Sequence, residues 1–346
     1  MLYFMNDYSE GAHERIIEAL SKTNMEQHVG YGLDEHCMNA KKLICQKINQ
    51  PDADVHFLAA GTQTNIISIT AFLRSYEAVI ATNLAHIAVH ETGAIEAAGH
   101  KVIEMKSQDG LLKPEQIDEA MRAHVDEHMV LPKMVYISDA TEMGTIYKKD
   151  ELLALRKKCD EYGLYLYIDG ARLANALTSE DNDLTIEEIA EISDAFYIGG
   201  TKNGILFGEA LVITNPELKK NMRFVIKQRG GLLAKGRLLG IQFEELFKDN
   251  LYYEISKHTN KMATRLKNGI KDIGYELVTE PSTNLIFAVL PNEIHEQLVK
   301  YCYYEAENPH DENTIEARFV TSWATPEEDV DTLLELLRDL KKIYSK

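Results

Sequence analysis

Short apolar runs alternate with longer amphipathic stretches along most of the chain. The runs DVHFLAAG (54–61), AVIAT (78–82), KVIEM (101–105), KMVYIS (133–138), LYLYID (164–169), AFYIGG (195–200) and EALVIT (209–214) read as strands. Helical spacing fills the gaps between them. TQTNIISITAFLR follows the first run, and KPEQIDEAMRAHV places Pro114 at a helix start. KDELLALRKKCDEYG puts Leu152, Leu155 and Cys159 on one helical face and ends at Gly163. The runs 164–169 and 195–200 are almost wholly apolar, as strands covered on both faces of a parallel sheet are. This alternation predicts an α/β fold with a mainly parallel sheet.

The texture changes after about residue 236. A long helical stretch leads to NLIFAVL (284–290), a helical NEIHEQLVKYCYY, the strand ARFVTS (317–322) and a closing helix after Pro326. The expected organisation is an N-terminal segment with a large α/β domain over 1–240, then a smaller α+β domain over 241–346.

Composition narrows the function. A formal charge of −18 with no Lys/Arg-rich block argues against nucleic acid, whose phosphates require a basic patch. No apolar stretch reaches the ~18 residues of a membrane helix, and the N-terminus lacks a signal-peptide pattern. Cys37, Cys45, Cys159 and Cys302 are scattered without a C-x-x-C pair, which fits reduced thiols in a cytoplasm.

Ligands of parallel sheets bind beyond the carboxyl ends of the strands, and three such ends carry chemistry. Thr201 and Lys202 follow AFYIGG, where burial favours the neutral amine and so a Schiff-base nucleophile. A solvated loop lysine is the plainer use. Gly199 and Gly200 leave room for a cofactor close to the backbone. Asp169 ends LYLYID, with Gly170 and Ala171 leaving space beside it and Arg172 three residues on. Such a carboxylate serves as the partner of a pyridinium nitrogen or as a helix cap. Gly61 and Thr62 stand where a helix opens, a phosphate site or a plain Thr62 cap. His86 and His90 are four apart, as helical metal ligands are, but no matching ligand set accompanies them. No metal is therefore assigned, and an imidazole stacked on a pyridine ring is the competing use. G-x-x-x-x-G-K-[ST] and G-x-G-x-x-G are absent, which argues against a P-loop and a nicotinamide enzyme.

GTQTN, AHIAVHETGA, YIDGARLANA and GGTKNGILFGEALVI occur in an order and spacing that resemble the low-specificity threonine aldolases. These belong to the β-eliminating lyase group of fold-type I enzymes dependent on pyridoxal 5′-phosphate (PLP). The resemblance covers nearly the whole chain. It implies that Lys202 holds PLP as a Schiff base, Asp169 pairs with the pyridine nitrogen and His86 stacks on the ring. It implies that Gly61 and Thr62 bind the phosphate, with Thr201 and either Lys227 or Lys235 assisting, the lysines from another subunit. Arg172 and Arg318 would bind the substrate carboxylate, and Ser9 would contact the substrate. YGLD (31–34) and Asn284 match further family positions. The implied reaction cleaves the Cα–Cβ bond of a β-hydroxy amino acid, giving glycine and an aldehyde. A homodimer or homotetramer with sites at the subunit interface is also implied.

Two departures stand out. The family reads Thr-His after the strand corresponding to KMVYIS, whereas this chain has Glu142, either a carboxylate that burial would turn into a base for the β-hydroxyl or a solvated loop residue. An arginine expected after Gly230-Gly231 is missing, with Arg229 or Lys235 as its replacement. β-Elimination and transamination use the same lysine, aspartate and arginine and stay open alternatives. So does a non-catalytic PLP-fold binding protein, although Lys202, Asp169 and Arg172 together argue against it.

Overall fold

The computed structural model describes residues 1–306 and 308–344. Its centre is a seven-stranded sheet built from β1 (Asp54–Leu58), β2 (Glu77–Thr82), β3 (Val102–Met105), β4 (Leu131–Ser138), β5 (Tyr165–Asp169), β6 (Ala195–Gly199) and β7 (Glu209–Ile213). The spatial order is β1-β7-β6-β5-β4-β2-β3. β7 runs antiparallel to both neighbours and the other pairings are parallel, which bears out the mainly parallel α/β expectation.

Both faces of the sheet are covered, and this explains the unbroken apolar runs. Ala78, Ile80, Val135, Ile137, Leu166, Ile168, Phe196 and Ile198 point into one core. Val79, Ala81, Met134, Tyr136, Tyr167 and Tyr197 alternate with them into a second. Local signals set the helix ends. Pro114 opens the helix Pro114–Ala123, and Gly163 closes Lys149–Tyr162 with φ of 65°.

A second, two-stranded antiparallel sheet pairs β8 (Leu285–Pro291) with β9 (Thr314–Val320). It shares a third core with the C-terminal helix, through Ile286, Phe319, Val330 and Leu337. Three features bear on a division at 240/241. The helix Arg237–Phe247 buries Phe243 and Leu246 in the large core. The long helix Leu251–Ile273 then passes between cores: Leu251, Tyr252 and Ile255 lie in the large one, Met262, Leu266 and Ile270 in the C-terminal one. The chain start also belongs to the C-terminal unit, because Leu2–Tyr3 pairs with Cys302–Tyr303 and Phe4 packs in that core. Among the described residues no helix is long and apolar enough to cross a membrane.

The glycines around β5 and β6 have a different use from the one expected. A Cβ on Gly170 would stand 1.9 Å from the Tyr197 carbonyl oxygen, and one on Gly199 would stand 2.3 Å from that of Ala171. Protein backbone, not a cofactor, fills the space they leave. They let the two strand ends meet, so that Asp169 and Lys202 leave the sheet side by side. Gly170→Ala is therefore expected to cost at least the ~1–3 kcal/mol of an overpacked core, measured as a lower midpoint in urea unfolding.

Candidate active site

The carboxyl end of β5 places Asp169 at the floor of a cleft of about 790 Å³. Four donors hold its carboxylate. The Tyr136 hydroxyl donates to Oδ2, and the Tyr197 hydroxyl donates to Oδ1 at 2.5 Å. Asn65 Nδ2 donates to Oδ2 at 3.1 Å, and the Ala171 amide donates to Oδ1 at 3.0 Å. Tyr136 and Tyr197 come from the strands on either side of β5. Burial first, and then the Asp169 charge, push both phenols well above their usual range, so they remain donors.

Lys202 stands on the loop between β6 and β7, which folds back on itself. The Gly200 and Thr201 amides both donate to the Gly208 carbonyl at 3.1 Å. Glu209 accepts from the Gly200 amide at 3.0 Å and from the Thr201 hydroxyl at 2.8 Å. Thr201 is thus engaged in shaping the loop. Burial lowers the pKa of Lys202, and the neighbouring Arg172 guanidinium adds to the effect. Burial raises Glu209 to about 7.

The helix Gly61–Phe72 starts at the cleft wall. Its N-cap is Ala60, with no side-chain cap bond, so the capping role considered for Thr62 is not used. Gly61 and Thr62 line the cleft at the free end of this helix, and a Cβ on Gly61 would come within 3.2 Å of the Tyr197 hydroxyl.

His86 and Glu142 form the adjoining wall. His86 Nδ1 is 2.8 Å from Glu91 Oε1, and Asn65 Nδ2 donates to that same oxygen at 2.8 Å. Glu91, Asn65 and Asp169 therefore form one buried chain behind the cleft. The His86 amide and the Ser138 hydroxyl both donate to Glu142 Oε1, at 2.9 and 2.7 Å. Burial raises the pKa of Glu142, Ser138 opposes the rise, and the Asp169 charge adds to it. Glu142 is thus tied into the site and is no solvated loop residue.

Both candidate arginines reach the cleft already paired. Arg172 Nε donates to Asp7 Oδ2 at 2.7 Å, and an Arg172 Nη donates to Asp7 Oδ1 at 3.1 Å. Asn284 Nδ2 donates to the same carboxylate at 2.9 Å. Burial alone would raise the pKa of Asp7, but Arg172, with help from Lys202, outweighs it and holds it low. Arg318 donates to Glu305, while its Nε is buried without a partner among the described residues.

Three expected residues lie elsewhere. Ser9 is exposed and donates to Asn6 Oδ1 at 2.7 Å; its neighbour Tyr8 lines the cleft instead, 6.0 Å from Lys202 Nζ at the ring centroid. Lys227 Nζ lies 4.5 Å from the Tyr31 ring centroid, and Lys235 is exposed; neither lines this cleft. Asp7, Asn65, Glu91, Tyr136, Tyr197 and Glu209 had not been singled out in the sequence.

A family model described as beta-eliminating lyase matches residues 6–293. The chain belongs to the β-eliminating lyase family. Within it, the chain is 32% identical to the low-specificity L-threonine aldolase of Pseudomonas sp. (strain NCIMB 10558), covering 99% of this chain and 98% of that one. It is 30% identical to the enzyme of the same name from Pseudomonas aeruginosa, covering 98% and 97%. The solved structure of Leishmania major threonine aldolase superposes with a TM-score of 0.97 at 50% identity, over 98% of this chain and 99% of that one. Thermus thermophilus aspartate aminotransferase shares the fold alone, with a TM-score of 0.73 at 14% identity over 98% and 91%. The fold is that of the fold-type I PLP enzymes.

The cofactor of this family is PLP, and the donor set fits it. A helix end without a side-chain cap offers amides to a phosphate, a fixed carboxylate offers an acceptor to a pyridine N–H, and Lys202 offers an amine.

The Asp7–Arg172 pair is buried on both sides, so removing one charge strands the other. Asp7→Asn is expected to cost about 3–5 kcal/mol at neutral pH. Because folding lowers the pKa of Asp7 from 3.8, its contribution is complete above that value and lost as pH falls through the folded value. Thermal unfolding should show the gap between wild type and variant shrinking below pH 3.8.

Proposed function

We propose that this chain is a PLP-dependent carbon–carbon lyase that cleaves threonine and allo-threonine to glycine and acetaldehyde. The observation that carries the reading is the convergence of Lys202, Asp169, His86 and two arginines on one cleft, in a chain whose full-length relatives are threonine aldolases.

When bound, PLP supplies an electron sink for the breaking bond. Lys202 would hold it through an amine that burial keeps ready to lose its proton, and the same amine would move a proton at the substrate Cα. Asp169, immobilised by its four donors, would accept from the pyridine N–H. His86, held by Glu91, would pack against the ring. The first amides of the helix at Gly61 and Thr62 would hold the phosphate. The unpartnered Nε of Arg318 is the donor for the substrate carboxylate, and Arg172 adds charge beside it. This orients the Cα–Cβ bond for cleavage.

Glu142 takes the proton of the β-hydroxyl. Two donors fix its Oε1, and its raised pKa makes it a stronger base than a solvated carboxylate. The protein works in the cytoplasm as a homodimer or homotetramer. There either Lys227 or Lys235, neither of which lines its own cleft, reaches the phosphate of a neighbouring subunit.

Incubating the holoenzyme with threonine or allo-threonine should release glycine and acetaldehyde. Pyruvate and ammonia from serine, without aldol cleavage, would instead assign β-elimination. Glu142→Gln should keep the bound-cofactor absorbance and lower kcat about 10²–10⁴-fold, the range for a lost general base. The wild-type rate should rise as pH increases through the elevated Glu142 value, and that limb should vanish in the variant.

A further inference from the structure

A second cluster of ligating side chains lies away from the cleft. Glu26 and His28 sit on the segment between the helices Glu14–Lys22 and Glu35–Lys47, and His36 sits in the first turn of the latter. Glu26 Oε2 is 2.9 Å from His28 Nε2 and 3.0 Å from His36 Nε2. The three ligand atoms all lie within 4.8 Å of one another. Ligands about 2.0–2.2 Å from a tetrahedral zinc ion stand roughly 3.3 Å apart, so small side-chain adjustments suffice.

The surroundings favour a cation. His36 Nδ1 is 2.7 Å from Glu244 Oε2, and Asn39 Nδ2 donates to the other oxygen of Glu244 at 3.1 Å. A ring that donates from Nδ1 to a carboxylate presents the lone pair of Nε2, the arrangement found behind metal-binding histidines. In that tautomer the His36 lone pair faces the Glu26 carboxylate and a second imidazole, whose ring centroid is 5.1 Å away. A shared cation relieves that arrangement, as does a proton that lets both ring nitrogens of His36 donate. Two imidazoles and a carboxylate with a fourth position left for water form a donor set suited to zinc.

We propose that Glu26, His28 and His36 bind one Zn²⁺ per chain, with Glu244 as the positioning residue behind His36. The ion ties the 23–34 segment to the helices Glu35–Lys47 and Arg237–Phe247. That segment carries Tyr31, whose carbonyl accepts from Arg223 at 3.3 Å and whose ring lies under Lys227. The ion thus braces the surface next to the lysine proposed to serve a neighbouring subunit. The zinc site shares no residue with the cleft and stands whether or not the aldolase reading does.

The test uses holoenzyme stripped by a chelator and dialysed against ZnCl₂ near pH 7.5, with bound zinc counted and zinc-edge anomalous diffraction recorded from soaked crystals. The expected result is one zinc per chain, an anomalous peak between Glu26, His28 and His36, and a zinc-dependent rise in Tm. His28→Ala with His36→Ala should abolish the peak and the rise. Glu244→Gln, which keeps all three ligands, should weaken zinc binding about 10–100-fold. No peak at this position in wild type, or zinc held only at the cysteines, overturns the proposal. Glu244→Gln binding zinc as tightly as wild type overturns the positioning role of Glu244, and a cluster that takes up no zinc is held by protons alone.

Discussion

Everything in the cleft is arranged around the Asp169 carboxylate. An acceptor at the end of a buried strand is costly unless its oxygens are matched by donors. Here the matching comes from three directions: Tyr136 and Tyr197 from the flanking strands, Asn65 from the helix above, and the Ala171 amide from its own turn. Each donor needs its element in register, so the sheet order and the position of the charge are one constraint. Asn65 extends it outward, since the same amide nitrogen reaches Glu91, which holds His86.

A second constraint is the density of charge. Lys202, Arg172 and Arg318 face Asp7, Asp169, Glu142 and Glu209 in and just behind one cleft. Burial pushes Asp7, Lys202, Glu142 and Glu209 towards their neutral forms, and pairing decides which of them resist. Asp7 resists through Arg172, whereas Lys202, Glu142 and Glu209 yield. The N-terminus is therefore part of the site. Phe4 anchors in the C-terminal core, Asp7 reaches the large domain, and Asn284 links that carboxylate to the start of β8. The N-terminal segment, the turn after β5 and the start of β8 meet at one ion pair.

Much of this was legible in the sequence. Strands read from apolar runs lie within a few residues of those observed, because burial on both faces leaves a continuous signal. Lys202, Asp169, Gly61 and Thr62 were legible because parallel sheets present their ligands at strand ends. Tyr-Ile recurs at 136–137, 167–168 and 197–198, each tyrosine two residues before the end of its strand. Read as core, the three tyrosines hide that a buried phenol requires a partner. Asp7 and Glu209 had no local signature, since their meaning comes from groups distant in sequence or from the closing of a loop. Gly170 and Gly199 looked like space for a ligand, but only the folded backbone shows that space to be filled by a carbonyl. Ser9 lay two residues from Asp7, where the irregular N-terminal segment offers no periodicity to say which side chain turns inward.

We propose above all that Lys202 carries the cofactor opposite Asp169. Reducing the PLP-loaded protein with borohydride and mapping the labelled peptide tests it most directly. The expected product carries a phosphopyridoxyl group on Lys202 and on no other lysine. Label on Lys227 or Lys235, or a fully loaded protein with Lys202 unmodified, would contradict it.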